Sequence, residues 1–158
     1  MKPLRAQDPY DWPHLRALIG RAFAGMDGRI DPPSSVHHLT VADIAAQAVA
    51  GEVWVIGAPA VACVFLTVRA QSLYLGKLAV DPAVQRMGYG RRLIGVAETR
   101  AQALGLLALE LSTRIELVEN HAAFRAMGFV KTATSAHDGF EMPTTLVFTK
   151  RLRGKTDL

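Results

Sequence analysis

At 158 residues with 50% hydrophobic and 20% charged side chains, the chain is the size of one domain and carries enough apolar surface for a real core, which excludes a disordered protein. A formal charge of +4 favours anionic ligands without requiring nucleic acid. The single cysteine, Cys63, excludes an internal disulfide, and a reducing cytoplasm is the expected compartment.

Met1-Lys2-Pro3 leads into no apolar stretch of the signal-peptide kind. Leu4 to Ala6 reads as a short first strand. From Trp12 to Ala24, Leu15, Leu18, Ile19 and Phe23 recur on one helical face, and Gly25 marks the stop. Met26 to Leu39 holds Gly28, Asp31-Pro32-Pro33 and Ser34-Ser35, a loop composition. Thr40-x-x-Asp43 then forms a capping box for a second helix reaching about Ala50. Glu52 to Ile56 and Val61 to Arg69 make two strands around Gly57-Ala58-Pro59-Ala60, a hairpin rather than a membrane span. Cys63 lies inside the second strand and reads as a buried structural thiol.

The centre of the chain is the most specific. Leu73 to Val80 is an apolar strand that stops at Asp81-Pro82, where proline removes a donor and restricts the residue before it. Gly88 and Gly90 bracket Tyr89 and leave backbone N–H groups uncovered. A helix from about Gly90 carries Leu93, Ile94, Ala97, Ala101 and Leu104 on one face and ends at Gly105. Its positive end sits beside Arg86, Arg91 and Arg92, a setting that stabilises a di-anion. Leu106 to Leu111 reads as the next strand, and the helical crossover between these two permits parallel pairing.

Phe129 to Thr134 and Thr145 to Arg151 make the last two strands. The predicted fold class is α/β (α+β), a mixed, mostly antiparallel sheet of about seven strands with about four helices on both faces and one parallel βαβ unit. One domain is expected over residues 1–153 with a C-terminal tail at 154–158, and the charged run Lys150-Arg-Leu-Arg153-Gly-Lys155 reads as a solvated end. Exposed terminal strands make a homodimer a reasonable expectation.

Gln85-x-x-Gly88-x-Gly90 after a strand resembles the acetyl-CoA signature of the GCN5-related N-acetyltransferases. Asn120-His-Ala-Ala-Phe124-Arg-Ala-Met-Gly128-Phe129 resembles the same superfamily's asparagine, short helix and Gly-Phe ending, in the same order. The resemblance covers about Leu73 to Phe129. It implies acetyl-CoA as cofactor, a V-shaped opening between the fourth and fifth strands, and an amine acceptor, either a small molecule or a peptide. By the same resemblance, backbone groups at Leu78, Ala79 and Val80 hold the thioester and pantetheine arm. Amides over Gln85, Arg86, Met87, Gly88, Tyr89, Gly90 and Arg91 hold the pyrophosphate, and Asn120 contacts the arm. The family's general-acid tyrosine falls at Phe124, beside the cofactor, and a benzyl ring has no proton to give a departing thiolate.

Transfer to an amine needs a neutral nucleophile, support for a developing oxyanion and a proton for the thiolate. An alkyl ammonium near pKa 10.4 must first lose its proton. Tyr74, four residues before Leu78 and so expected on the same strand face, is one catalytic candidate. Ser112, expected at the end of the next strand, and His121, beside Asn120, are others, with water a fourth donor. Asp31, Tyr74, Glu110, His137, Asp138 and Glu141 are the candidates for holding the acceptor, the carboxylates by pairing with an ammonium. His37-His38 lacks further ligands at metal-site spacing, so no metal is expected, nor a membrane or nucleic-acid partner.

Two rival motifs fail. A dinucleotide fingerprint would place a third glycine at Leu93, and a P-loop would follow its glycines with Gly-Lys-Ser/Thr. The alternative with substance is a non-catalytic acyl-CoA sensor that keeps the cradle and has lost the acid, with Phe124 in its favour.

Overall fold

Apolar side chains alternate along the central strands, so one sheet buries a separate core on each of its faces. The computed structural model describes residues 1–153, and the tail expected over 154–158 lies outside the described residues. In chain order the elements are β1 (Pro3–Arg5), α1 (Trp12–Phe23), α2 (Val41–Ala50), β2 (Glu52–Ile56), β3 (Ala62–Arg69), β4 (Ser72–Val80), α3 (Tyr89–Ala103), β5 (Ala108–Arg114), α4 (Val118–Ala126), β6 (Val130–Ser135) and β7 (Thr145–Arg151). The seven strands are ordered β1-β2-β3-β4-β5-β7-β6. Only β4 and β5 run parallel, and the crossover between them is α3. The mixed, mostly antiparallel sheet with four helices is therefore the architecture expected from the sequence.

Helices α1 and α2 cover one face, where Leu15, Leu18, Ile19 and Ile44 meet Val53, Val55, Cys63 and Phe65. Helix α3 covers the other, packing Leu93, Ile94, Ala97 and Ala101 on Val64, Leu66, Leu73, Leu75 and Leu109. The α2 start is the predicted box, with Asp43 N–H donating to Thr40 Oγ1 at 3.0 Å and Thr40 N–H to Asp43 Oδ2 at 2.9 Å. The ion pair of Glu52 with Arg100, Nε to Oε1 at 2.9 Å, ties β2 to the last turn of α3.

Strand β5 differs from expectation at both ends. Gly105 turns with φ +72° and Leu106 N–H donates to Ala101 O at 2.8 Å, so the residues after the helix are used to close it. The strand then runs past Leu111 because Ser112, Thr113 and Arg114 pair with Val147, Leu146 and Thr145 of β7. Ser112 is thus interior to its strand, not a strand-end turn residue.

Candidate active site

Strands β4 and β5 pair only from Ser72–Ala108 to Leu75–Leu111. Beyond that point β4 stays with β3 as far as Val80 and β5 stays with β7 as far as Arg114, so the two parallel strands part. The parting opens a cleft of about 650 Å³ lined by Tyr74, Lys77 and Leu78 on one side and Ser112, Thr113 and Arg114 on the other.

A β-bulge shapes the β4 wall. Cys63 faces Ala79 while Phe65 faces Gly76, so Lys77 and Leu78 together oppose Val64 alone. Lys77 takes the extra position with φ +49°. The bulge reverses the alternation: Leu73 and Leu75 belong to the α3 core, and Leu78 and Val80 pack against that same core, leaving Ala79 to the α1 core. Tyr74 and Leu78 therefore lie on opposite faces of the sheet, correcting the same-face expectation, although both line the cleft.

The loop into α3 is a row of open donors. Arg86 and Gly88 have φ +66° and +85°, which turns successive amides outward as an anion-binding concavity does. Gly88 caps α3 without any side-chain hydrogen bond, and the first amide with a backbone acceptor is that of Arg92, on Gly88 O at 3.0 Å. Among the described residues no amide from Gln85 to Arg91 has a protein acceptor. Tyr89 adds its ring to the α3 core and Gly90 lies against Val80, whose Cγ2 a Cβ there would meet at 3.9 Å. The donor row and the end of β4 are thus adjacent.

On the α3 and α4 side the cleft is lined by Leu78, Leu117, Asn120 and Phe124. Asn120 Nδ2 donates to Thr113 Oγ1 at 3.5 Å, and the Phe124 ring packs edge-on to Phe129 with centroids 5.9 Å apart. His121 points elsewhere: its Nε2–H donates to Arg114 O at 2.9 Å and its ring is buried 5.8 Å from that of Phe148. That side chain lies outside the cleft lining, so the structure does not bring it to Tyr74 and Ser112.

The α1 and α2 side is cationic. Lys77 Nζ donates to Ser35 Oγ at 2.8 Å, and burial, with Arg114 nearby, pushes its ammonium below the ordinary lysine value. Arg114 Nη1 donates to Pro32 O at 2.6 Å and Nη2 to Pro33 O at 3.1 Å, and burial lowers its pKa although Glu116 and Asp31 act in the opposite sense. The Arg69 guanidinium lies 3.6 Å from the Tyr74 ring centroid. His38 and His137 complete the ionisable lining, which contains no carboxylate. Asp31, Glu110, Asp138 and Glu141 all fall outside it. Asp31 uses its N–H on Glu116 Oε2 at 3.1 Å, Glu110 sits opposite Tyr74 in the paired part of the sheet, and Asp138 and Glu141 are exposed on the β6–β7 loop.

The model of the acetyltransferase (GNAT) family matches residues 8–129, most of the chain. The chain belongs to that family. No curated protein matches it. Among solved structures, this GNAT protein is similar to PaiA N-acetyltransferase from Thermoplasma acidophilum in complex with coenzyme A (TM-score 0.73, 14% identity, covering 96% of this chain and 100% of that one). It is also similar to a GNAT acetyltransferase from Elizabethkingia anophelis with acetyl-CoA bound (TM-score 0.68, 16% identity, 96% and 97% covered). A third is the ribosomal-protein-S18-alanine N-acetyltransferase of Escherichia coli (TM-score 0.69, 17% identity, 98% of each chain covered).

Several residues that shape this GNAT cleft were not visible to sequence reasoning. Lys77 was read as ordinary strand, although an isolated glycine before it, Gly76, is the usual signature of a bulge. Ser35 and Val36 come from a 3-10 turn, Ser35–His38, capped by Ser34, inside a segment whose composition predicts an irregular loop. Arg114 was hidden because the strand carrying it was expected to end at Leu111. Cys63 is wholly buried with its thiol pushed up to about 12 by that burial, so it offers no acyl-enzyme route. Among the described residues no three His, Cys, Asp or Glu side chains cluster to hold a metal, and no helix is long and apolar enough to cross a membrane.

Proposed function

We propose that the protein is an acetyl-CoA-dependent N-acetyltransferase in which an acceptor amine attacks directly within the β4–β5 cleft. The observation that carries this reading is the unbroken row of acceptor-free amides from Gln85 to Arg91 at the positive end of α3, adjoining the end of β4. Those amides, with Arg86 and Arg91, fit a diphosphate. The backbone of Leu78, Ala79 and Val80, freed from β5 by the splay, fits a pantetheine arm, with Asn120 and Phe124 on its far side.

Acetyl-CoA supplies an acetyl group activated as a thioester. The chain's own contribution is to orient and to handle protons. The bulge at Lys77 interrupts the β3–β4 ladder beside Leu78, and a backbone N–H of the strand near Leu78 is the group proposed to stabilise a developing oxyanion. Ser112 and Tyr74 both reach the cleft and have hydroxyl protons for the departing thiolate, with water the third source. His121 is a positioning group, holding α4 to the end of β5 through the Arg114 carbonyl. His137 lines the cleft with Nδ1 against Thr144 Oγ1, leaving Nε2 to accept a proton from an incoming amine.

Phe124 favours a second reading, an acyl-CoA sensor without turnover, because the family's usual acid is missing. One assay separates the two: calorimetric titration of coenzyme A, followed by free-thiol release from acetyl-CoA across a panel of amines. Binding with release for any amine supports the enzyme, binding without release supports the sensor, and no binding removes both.

A further inference from the structure

The acceptor end of the cleft has a charge pattern that restricts what it can hold. We infer that the acceptor is an amino acid-sized amine bearing its own carboxylate or equivalent anion, which docks on Lys77 with Arg114 behind it. This rests on the transferase reading above and narrows its substrate.

Lys77, Arg114 and Arg69 line the cleft, and no Asp or Glu does. Lys77 is the informative one. Its ammonium is partly buried, has Ser35 Oγ as its hydrogen-bond partner, and makes no ion pair among the described residues. A cation drawn out of water without a counter-ion is unfavourable, and a ligand anion supplies what the fold omits. Arg114 differs, since Glu116 and Asp31 partly balance it and two of its donors hold the Pro32 and Pro33 carbonyls. It therefore anchors the loop that carries Ser35 and adds field, while Lys77 has donors to spare.

Position adds a second argument. The bulge sets Lys77 in the left-handed region directly before Leu78, and its side chain crosses to Ser35 on the α1 and α2 side of the sheet. The phosphate-type donors at Gln85 to Arg91 adjoin Val80 on the α3 side of the sheet, whereas Lys77 reaches Ser35 on the α1 and α2 side, so Lys77 is not needed for the diphosphate. An anion on Lys77 would thus belong to a molecule entering from the acceptor side, a few bonds from the point of transfer. The cleft, about 650 Å³ for arm and acceptor together, favours a small molecule. Polyamines and simple alkyl ammonium ions meet only like charge here.

Matched acceptors test this: phenylalanine, β-alanine and γ-aminobutyrate against their carboxamides, with spermidine as a cationic control, each followed by thiol release from acetyl-CoA. The acids are expected to exceed their amides at least tenfold in kcat/KM, Lys77→Gln to reduce that ratio to about threefold or less, and Lys77→Arg to retain most of it. Amides or spermidine used as well as the acids, or a ratio unmoved by Lys77→Gln, overturns the inference and leaves the transferase intact. A second arm needs no turnover: N-acetylphenylalanine and its amide are titrated into protein saturated with coenzyme A. Tighter binding of the acid, lost in Lys77→Gln, supports the anion site even where every amine is inert, an outcome that removes only the catalytic reading. Equal binding of the two overturns the site.

Discussion

Glutamine at position 52 would remove one charge from a buried pair while keeping its shape. Glu52 Oε1 and Oε2 accept from Arg100 Nε and Nη2, both at 2.9 Å, and Oε1 also accepts from the Trp54 indole at 2.8 Å. The two side chains are 11% and 28% exposed, so water replaces little of what is lost. Charge-assisted bonds contribute about 1.5–3 kcal/mol, and since glutamine retains one acceptor, the cost of Glu52→Gln is about 2 kcal/mol. For a chain of this length that lowers the thermal midpoint by about 4–8 °C. Burial alone would raise the Glu52 pKa, but Arg100, Trp54 and Arg5 outweigh it and hold the carboxyl below its ordinary value. A depressed folded pKa means the stabilisation is complete above the unfolded value near 4.3 and drains away as pH falls through the folded one. Urea denaturation should therefore separate parent and variant by about 2 kcal/mol at pH 7 and by a clearly smaller amount near pH 3. An equal gap at both pH values would refute the electrostatic account and assign the loss to packing.

Gly88→Ala meets open space but must hold φ +85°, so it should cost about 1 kcal/mol in urea and weaken coenzyme A binding about tenfold by calorimetry. His121→Leu should lower stability by about 1–3 kcal/mol while leaving coenzyme A affinity unchanged; lost turnover at full stability would return the imidazole to the chemistry. Cys63 should resist iodoacetamide at pH 8 in the native protein, its thiol being held up to about 12, and Cys63→Ala should release thiol from acetyl-CoA at the parental rate. Phe124→Tyr should leave thiol release within about threefold, whereas a tenfold rise would identify the proton for the leaving group as limiting.

The elements legible in the sequence were those fixed by local chemistry. The Thr40–Asp43 box, the Gly88–Gly90 loop and the Gly105 stop are each set by the backbone conformation of a few neighbouring residues, and α2 and α3 form close to where those signals place them. What was not legible depends on partners distant in the chain. β5 outlasts its apolar run because β7 pairs with its polar end, and the cleft exists because β4 and β5 each keep their outer partner while losing one another. Asp31, Asp138 and Glu141 are loop residues and Glu110 lies between two strand leucines, and none of the four lines the cleft. Which loop side chains reach the cleft is decided by the 3-10 turn at Ser35–His38 and by Arg114 gripping Pro32 and Pro33, neither of which has a local signature.

The inserted residue in β4 separates two kinds of sequence change. Because the extra position is absorbed within the strand, Leu73 and Leu75 before it and Val80 after it stay committed to the same interior. Residue 77 itself belongs to neither interior. Descendants of this chain can therefore exchange that one side chain and acquire a different appetite for acceptors while every neighbour that sustains folding is inherited untouched.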